Sequence, residues 1–272
     1  MGVKDKNISA IVIAKNEQNK IGDCLESIVW CDEIILVDND SVDETVDIAK
    51  DHKARIFEYK GGNYSDLRNE GLKHAKGKWI LYVDADERIT PLLRNEILSL
   101  ITDHQSPINI YSTYAIPRKN IVLGKELKHG GFGESDYVKR LFKRKNLKKW
   151  TGDLHEEPNF IHKGIVTTGK PQELGFLKNK MIHIKAQTLE EMVEKTNKWS
   201  EVEARLMFEA KHPPMNIPRF LSAIGREFWF RMIKHKAFLD GSIGIIHGMY
   251  QVFSRFISYS KLWEMQLKGD KS

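Results

Sequence analysis

Apolar positions in the first hundred residues follow two alternating periods, and the alternation predicts strand, helix, strand, helix in repetition. Ile8 to Ile13 form a near-continuous apolar run, as expected of a strand covered on both faces. Ile21, Leu25, Ile28 and Val29 then recur at helical spacing, one stripe lying on a sheet. Residues 33–37 predict a second strand, 42–50 a short helix, 55–59 a third strand, and 65–75 a helix with Leu67, Leu72 and Ala75 inward. Residues 79–83 predict a fourth strand. Thr90 followed by Pro91 supplies a hydroxyl cap and a first-position proline for a helix carrying Leu93, Ile97 and Ile101. Such alternation predicts an α/β fold with a largely parallel sheet covered by helices, whose ligands bind beyond the carboxyl ends of the strands.

The period changes from residue 108 to 185, where short β-like pieces (110–117, 138–142, 181–184) stand between Gly-rich or charged loops and predict mixed or antiparallel sheet. A helix is expected from Thr188, which has capping-box spacing to Glu191, to about Lys211, before Pro213, Pro214 and Pro218 break it. Two aromatic-rich helices, 219–234 and 242–259, are then joined by Phe238-Leu239-Asp240-Gly241. The expected division is an α/β domain over 1–187 and a C-terminal helical appendage over 188–272. In that appendage Phe220, Ile224, Phe228 and Met232 recur every four positions among Arg219, Arg226, Arg231 and Lys234. Broad aromatic faces with basic residues suit an anionic bilayer surface. Packing against the catalytic domain or against another subunit in an oligomer would use the same side chains, and both readings stay open.

Of the formal charge of +6 on 272 residues, the last sixty hold nine Lys/Arg against four Asp/Glu, so the basic character is local. No helix-turn-helix, zinc-finger or RNP-like pattern accompanies it, and a nucleic-acid partner is not expected. Cys24 and Cys31 are too few for a disulfide framework and read as buried, reduced thiols. No apolar run approaches the ~18 residues of a membrane span, and the chain enters its first strand without a signal-peptide pattern. The expected location is cytoplasmic, with peripheral attachment to the inner membrane as an option.

Polar clusters mark one edge of the predicted sheet: Lys15-Asn16-Glu17, Asp38-Asn39-Asp40-Ser41, Asp66-Leu67-Arg68-Asn69 and Asp84-Ala85-Asp86-Glu87. Any one of them reads as turn or cap residues. Four at one edge read as a site. Asp84 and Asp86, two residues apart where a buried strand ends, suit a divalent cation held against a diphosphate. The segment 118–137, with Gly124, Gly130, Gly131 and Gly133 and the cations Arg118, Lys119, Lys125 and Lys128, is expected as a flexible loop, either able to cover an acceptor or simply solvated at the surface. The seven basic residues of 139–149 are expected to point outward from a strand and turn.

These motifs together resemble the family 2 glycosyltransferases of GT-A fold, and within them the bacterial lipopolysaccharide core β-1,4-glucosyltransferases. The likeness is strongest over residues 8–103 and continues through Leu141-Phe142, His155-Glu156, His183 and the Phe-Leu-Asp-Gly segment. It implies a UDP-sugar donor, Mg²⁺ or Mn²⁺, and a lipid-linked saccharide acceptor. By resemblance Asp38 would accept a hydrogen bond from uracil, Glu17 and Arg68 would flank the nucleotide, Asp84 would face the ribose, and Asp86 and His183 would bind the metal. A general base is needed to take the acceptor's proton, and Glu156 is the choice, with Asp153 and Glu157 as rivals. Two other readings remain: a sugar-phosphate nucleotidyltransferase, although Lys15-Asn16-Glu17-Gln18 lacks the glycines of a triphosphate loop, and a non-enzymatic membrane-surface scaffold.

Overall fold

A computed structural model of the chain describes residues 7–102, 110–132, 136–152 and 156–269. The chain divides into two compact units, one of residues 1–118 and 136–183, the other of 119–135 and 184–272.

The first unit opens with β1 (Ile8–Ala14), α1 (Gln18–Glu26), β2 (Glu33–Asp38), α2 (Thr45–Asp51), β3 (Arg55–Glu58), α3 (Tyr64–His74) and β4 (Trp79–Asp84). Next come β5 (Glu87–Arg88), α4 (Pro91–Thr102) and β6 (Thr113–Val122). β7 (Lys125–Glu126) belongs to the second unit and pairs with the end of β6. β8 (Tyr137–Lys143), β9 (Leu147–Thr151), β10 (Glu157–His162), β11 (Ile165–Thr167), β12 (Gly175–Phe176) and β13 (Met181–Ala186) follow. The main sheet has the order β3-β2-β1-β4-β8-β6-β13-β5, while β11-β10-β9 form a separate antiparallel sheet. β1 runs parallel to β2 and β4, and β8 is antiparallel to β4. The expected parallel half and mixed half are both present.

β1 is buried at every position. Its residues alternate between two cores, Ile8, Ala10 and Val12 packing with Ile21, Leu25 and Leu93 on one side, Ile11 and Ile13 with Leu67, Tyr82 and Phe142 on the other. This is the period of two expected when helices cover both faces. Gly71 of α3 is required by that packing, because a Cβ there would collide with the Ile11 side chain. Local caps agree with the sequence: Asn63 and Asp66 close a capping box on α3, and Thr90 Oγ1 accepts from Leu93 N at 3.3 Å. Both cysteines are buried free thiols.

The second unit holds α5 (Leu189–Glu209), α6 (Ile217–Phe228) and α7 (Gly241–Gly269). Thr188 caps α5 as expected, its hydroxyl accepting from Glu191 N. The helix expected over 219–234 is two structures, since α6 stops at Phe228 and Trp229–Lys234 continue as a π-helical turn. Phe220 packs on Phe256 and Trp263, near Met215 and Leu262. The segment expected as a flexible loop is instead built into this unit. Residues 119–122 extend β6, and the buried Asp240 accepts from the backbone N–H of Lys128 (3.0 Å) and His129 (2.8 Å). Its Gly133 lies outside the described residues. No described helix is long and apolar enough to cross a membrane.

Candidate active site

The site is assembled in the first unit at the carboxyl end of β4. Asp84 stands two residues after Tyr82 on the face that packs Tyr82, Phe142 and Trp150, and on the neighbouring β8 Arg140, two before Phe142, is the bulged residue between Lys139 and Leu141, which pair with consecutive residues of β6. Arg140 Nη2 donates to Asp84 Oδ2 and, at 2.8 Å, to Glu87 Oε1. Arg68 of α3 donates from Nη2 to both Asp84 oxygens (2.9 and 3.2 Å) and to Glu156 Oε1 (3.1 Å). Glu87 is fully buried and its Oε2 accepts from the Asp84 backbone N–H. Arg118 forks onto Asp136 and lies 3.7 Å from Glu87.

Burying these charges is costly unless each is paired, and here carboxylates and guanidinium groups interleave. Burial pushes the Asp84 carboxyl up, but Arg140 and Arg68 outweigh it and hold the group well below the usual carboxylate range. Burial and the carboxylates Asp84, Glu156 and Asp86 raise the phenol of Tyr64, at the first turn of α3. A cavity of about 280 Å³ opens beside the network, lined by Asp84, Arg118, Tyr137, Arg140, Trp150 and Glu156 among others.

The other expected residues fall into three groups. Asp86 and His183 come together, His183 Nε2 lying 3.6 Å from Asp86 Oδ2, because β13 pairs antiparallel with β5 and sets His183 opposite Glu87. Among the described residues no cluster of three or more His, Cys, Asp or Glu has metal-binding placement. A cation here would thus draw one carboxylate oxygen and one imidazole nitrogen from the chain and its remaining oxygens from ligand and water. The carboxylate and water oxygens suit Mg²⁺ or Mn²⁺ alike, while the imidazole suits Mn²⁺, a transition metal, better than the harder Mg²⁺. Asp38, at the end of β2, accepts from Ser41 N through Oδ2, while its buried Oδ1 has no hydrogen-bond partner. Such an orphaned acceptor fits a ligand N–H. Glu17 lies at the start of α1, 3.9 Å from Lys20 Nζ.

Arg68, expected to flank the nucleotide, is 2 % exposed and joins Asp84 to Glu156. Of the rivals to Glu156, Glu157 lines the same cavity, paired with Lys139 Nζ at 2.5 Å, and Asp153, like His155, lies outside the described residues. Arg140 faces inward, against the expectation that the basic run points to solvent. Its position two residues before Phe142 was the available signal. Parts of the polar clusters are indeed turn chemistry: Asn16 Oδ1 accepts from Val42 N, and Asp66 caps its own helix.

The Glycosyl transferase family 2 model matches residues 9–164, more than half of the chain and all of the network just described. The chain belongs to glycosyltransferase family 2. An uncharacterized glycosyltransferase of Rickettsia typhi is 27 % identical over 97 % of this chain and 89 % of its own. The lipopolysaccharide core biosynthesis glycosyltransferase LpsC of Rhizobium meliloti is 23 % identical over 94 % and 92 %. Among solved structures, residues 1–349 of S. aureus TarS in complex with UDP-GlcNAc align with 16 % identity over 97 % of this chain and 92 % of that one, at a TM-score of 0.47. Family membership makes this glycosyltransferase an enzyme and sets aside the nucleotidyltransferase and scaffold readings.

Proposed function

We propose that this glycosyltransferase moves glucose from UDP-glucose, with inversion and with a divalent cation, onto a lipid-linked saccharide acceptor of a bacterial surface glycolipid. The observation that carries the reading is the juxtaposition of Asp86 and His183, distant in sequence yet 3.6 Å apart, with Asp86 two residues beyond Asp84 of the network. The free acceptor atom of Asp38 supports recognition of a uracil N–H. Likeness to LpsC over nearly the whole length supports a lipopolysaccharide-type acceptor, and the sequence resemblance to core β-1,4-glucosyltransferases supports glucose.

Asp86 and His183 would hold Mg²⁺ or Mn²⁺, which when bound supplies charge neutralisation to the departing diphosphate. Glu156 takes the proton of the acceptor hydroxyl as that oxygen bonds to the anomeric carbon, while the bond from that carbon to the phosphate oxygen breaks and its electron pair leaves with UDP. Arg68 keeps Glu156 and Asp84 at fixed separation, and Asp84, held ionised between two guanidinium groups, presents a permanent acceptor to the donor sugar or ribose.

A thermal-shift panel of UDP-, GDP-, ADP- and TDP-sugars with Mn²⁺ tests the donor assignment, since a ligand that binds only the folded form raises the melting temperature. UDP-glucose is expected to give the largest rise. An equal or larger rise with another nucleotide sugar contradicts the assignment.

A further inference from the structure

The second unit segregates its charges. Between residues 213 and 263 the only carboxylates are Glu227 and Asp240. Glu227 is closed on Arg231 at 2.8 Å and Arg255 at 3.7 Å, and Asp240 is buried. The exposed carboxylates of this unit's long helices are instead gathered on α5, at Glu190, Glu194, Glu201 and Glu209, with Glu264 near the end of α7. Arg226, Lys234 and Lys236 are exposed, and beside them stand Trp229, Ile233, Phe238 and Leu239, each about half exposed. These apolar side chains are not the core of α6. Its packed side is taken by Ala223, which is buried, and by Phe220 on Phe256 and Trp263. The outward residues of 217–239, Ile217 and Leu221 included, are thus apolar side chains and cations with no exposed carboxylate among them.

We propose that residues 217–239 are a docking surface for an anionic lipid bilayer, the apolar side chains entering the headgroup boundary and Arg226, Lys234 and Lys236 meeting lipid phosphates. Aromatic and aliphatic side chains beside lysine and arginine are the composition of interfacial helices. A second copy of the chain fits the charge less well. A two-fold interface sets a patch against itself, and this one would bring cations to cations with no carboxylate between them. The inference rests on the second unit alone and does not depend on the donor or acceptor assigned above.

The test is co-sedimentation of the full chain with vesicles of phosphatidylcholine alone and with phosphatidylglycerol added. Binding is expected only to the anionic vesicles and should weaken with salt. Lys234→Gln with Lys236→Gln should weaken it about thirtyfold, as about 1 kcal/mol for each basic residue at an anionic surface implies. Trp229→Ser with Phe238→Ser should weaken it at least about tenfold through lost apolar burial, and Lys198→Gln on α5 should leave it unchanged. Unaltered melting temperatures would show that these variants fold. Failure to bind anionic vesicles, or equal binding to both vesicle types, overturns the proposal. So does a concentration-dependent dimer that Trp229→Ser with Phe238→Ser dissolves, because that result assigns the face to a second copy.

Discussion

The first unit draws interleaved charges inside, Arg68, Glu87 and Arg140 among them, whereas residues 217–239 of the second leave large apolar groups beside cations at the surface, Trp229, Ile233 and Leu239 among them. The inward charges are individually expensive and are held by one another, which gives Asp84 and Glu156 fixed positions and a fixed electrostatic setting. The outward apolar groups are only about half covered by the chain, and the bilayer contact proposed above would cover the rest.

Predicted effects on the first unit are the larger. Glu156→Gln should lower turnover about 10²–10⁴-fold, the usual span for loss of a general base, with UDP binding measured by calorimetry nearly unchanged. Turnover close to that of the unaltered chain would return the base role to Glu157 or Asp153. Arg140→Met should destabilise the fold by about 3 kcal/mol or more, because it leaves the buried Glu87 and the partly buried Asp84 with one cation fewer. Hydrogen exchange should then rise in β4 and β8 and stay unchanged in α7. Equal acceleration in both units would erase the contrast drawn between them.

The second unit carries its own titration. Burial, with Lys185 and Arg231 nearby, lowers His247 from its ordinary range to about 4, so the ring is neutral in the folded chain at neutral pH. Below about pH 6.5 the unfolded chain takes up a proton that the folded chain refuses. Stability is therefore complete above that pH and falls as the pH drops toward 4, by up to roughly 3 kcal/mol. Urea unfolding across this window should show the slope for the native sequence and a flatter profile for His247→Gln. An identical slope in both would place the sensitivity elsewhere.

Strand-end chemistry was largely legible because period and position coincide: Trp79 to Val83 is an apolar run, and Asp84 and Asp86 follow it directly. His183 was legible only through resemblance, since the β13 to β5 pairing that brings it to Asp86 joins residues nearly a hundred positions apart. Arg140 was hidden in a basic run whose other members are solvent-facing or at the rim, and composition gave no cue that one of seven turns inward. The loop over 118–137 was misjudged for a related reason. Its glycines signal freedom, but Asp240, far along the chain, closes on it. Helix periodicity located α6 and α7 within a few residues at their starts and missed the π-helical turn, from which Arg231 donates to the Gly130 carbonyl, a partner about a hundred positions away.

The central claim is that Asp86 and His183 hold a cation against the donor's diphosphate. Calorimetric titration of UDP into the full chain with and without Mn²⁺, repeated on Asp86→Ala, tests it most directly. Mn²⁺ should tighten UDP binding at least about tenfold, about 1.4 kcal/mol, and Asp86→Ala should remove this dependence. Equal UDP affinity with and without the metal, or a metal effect that survives in Asp86→Ala, would contradict it.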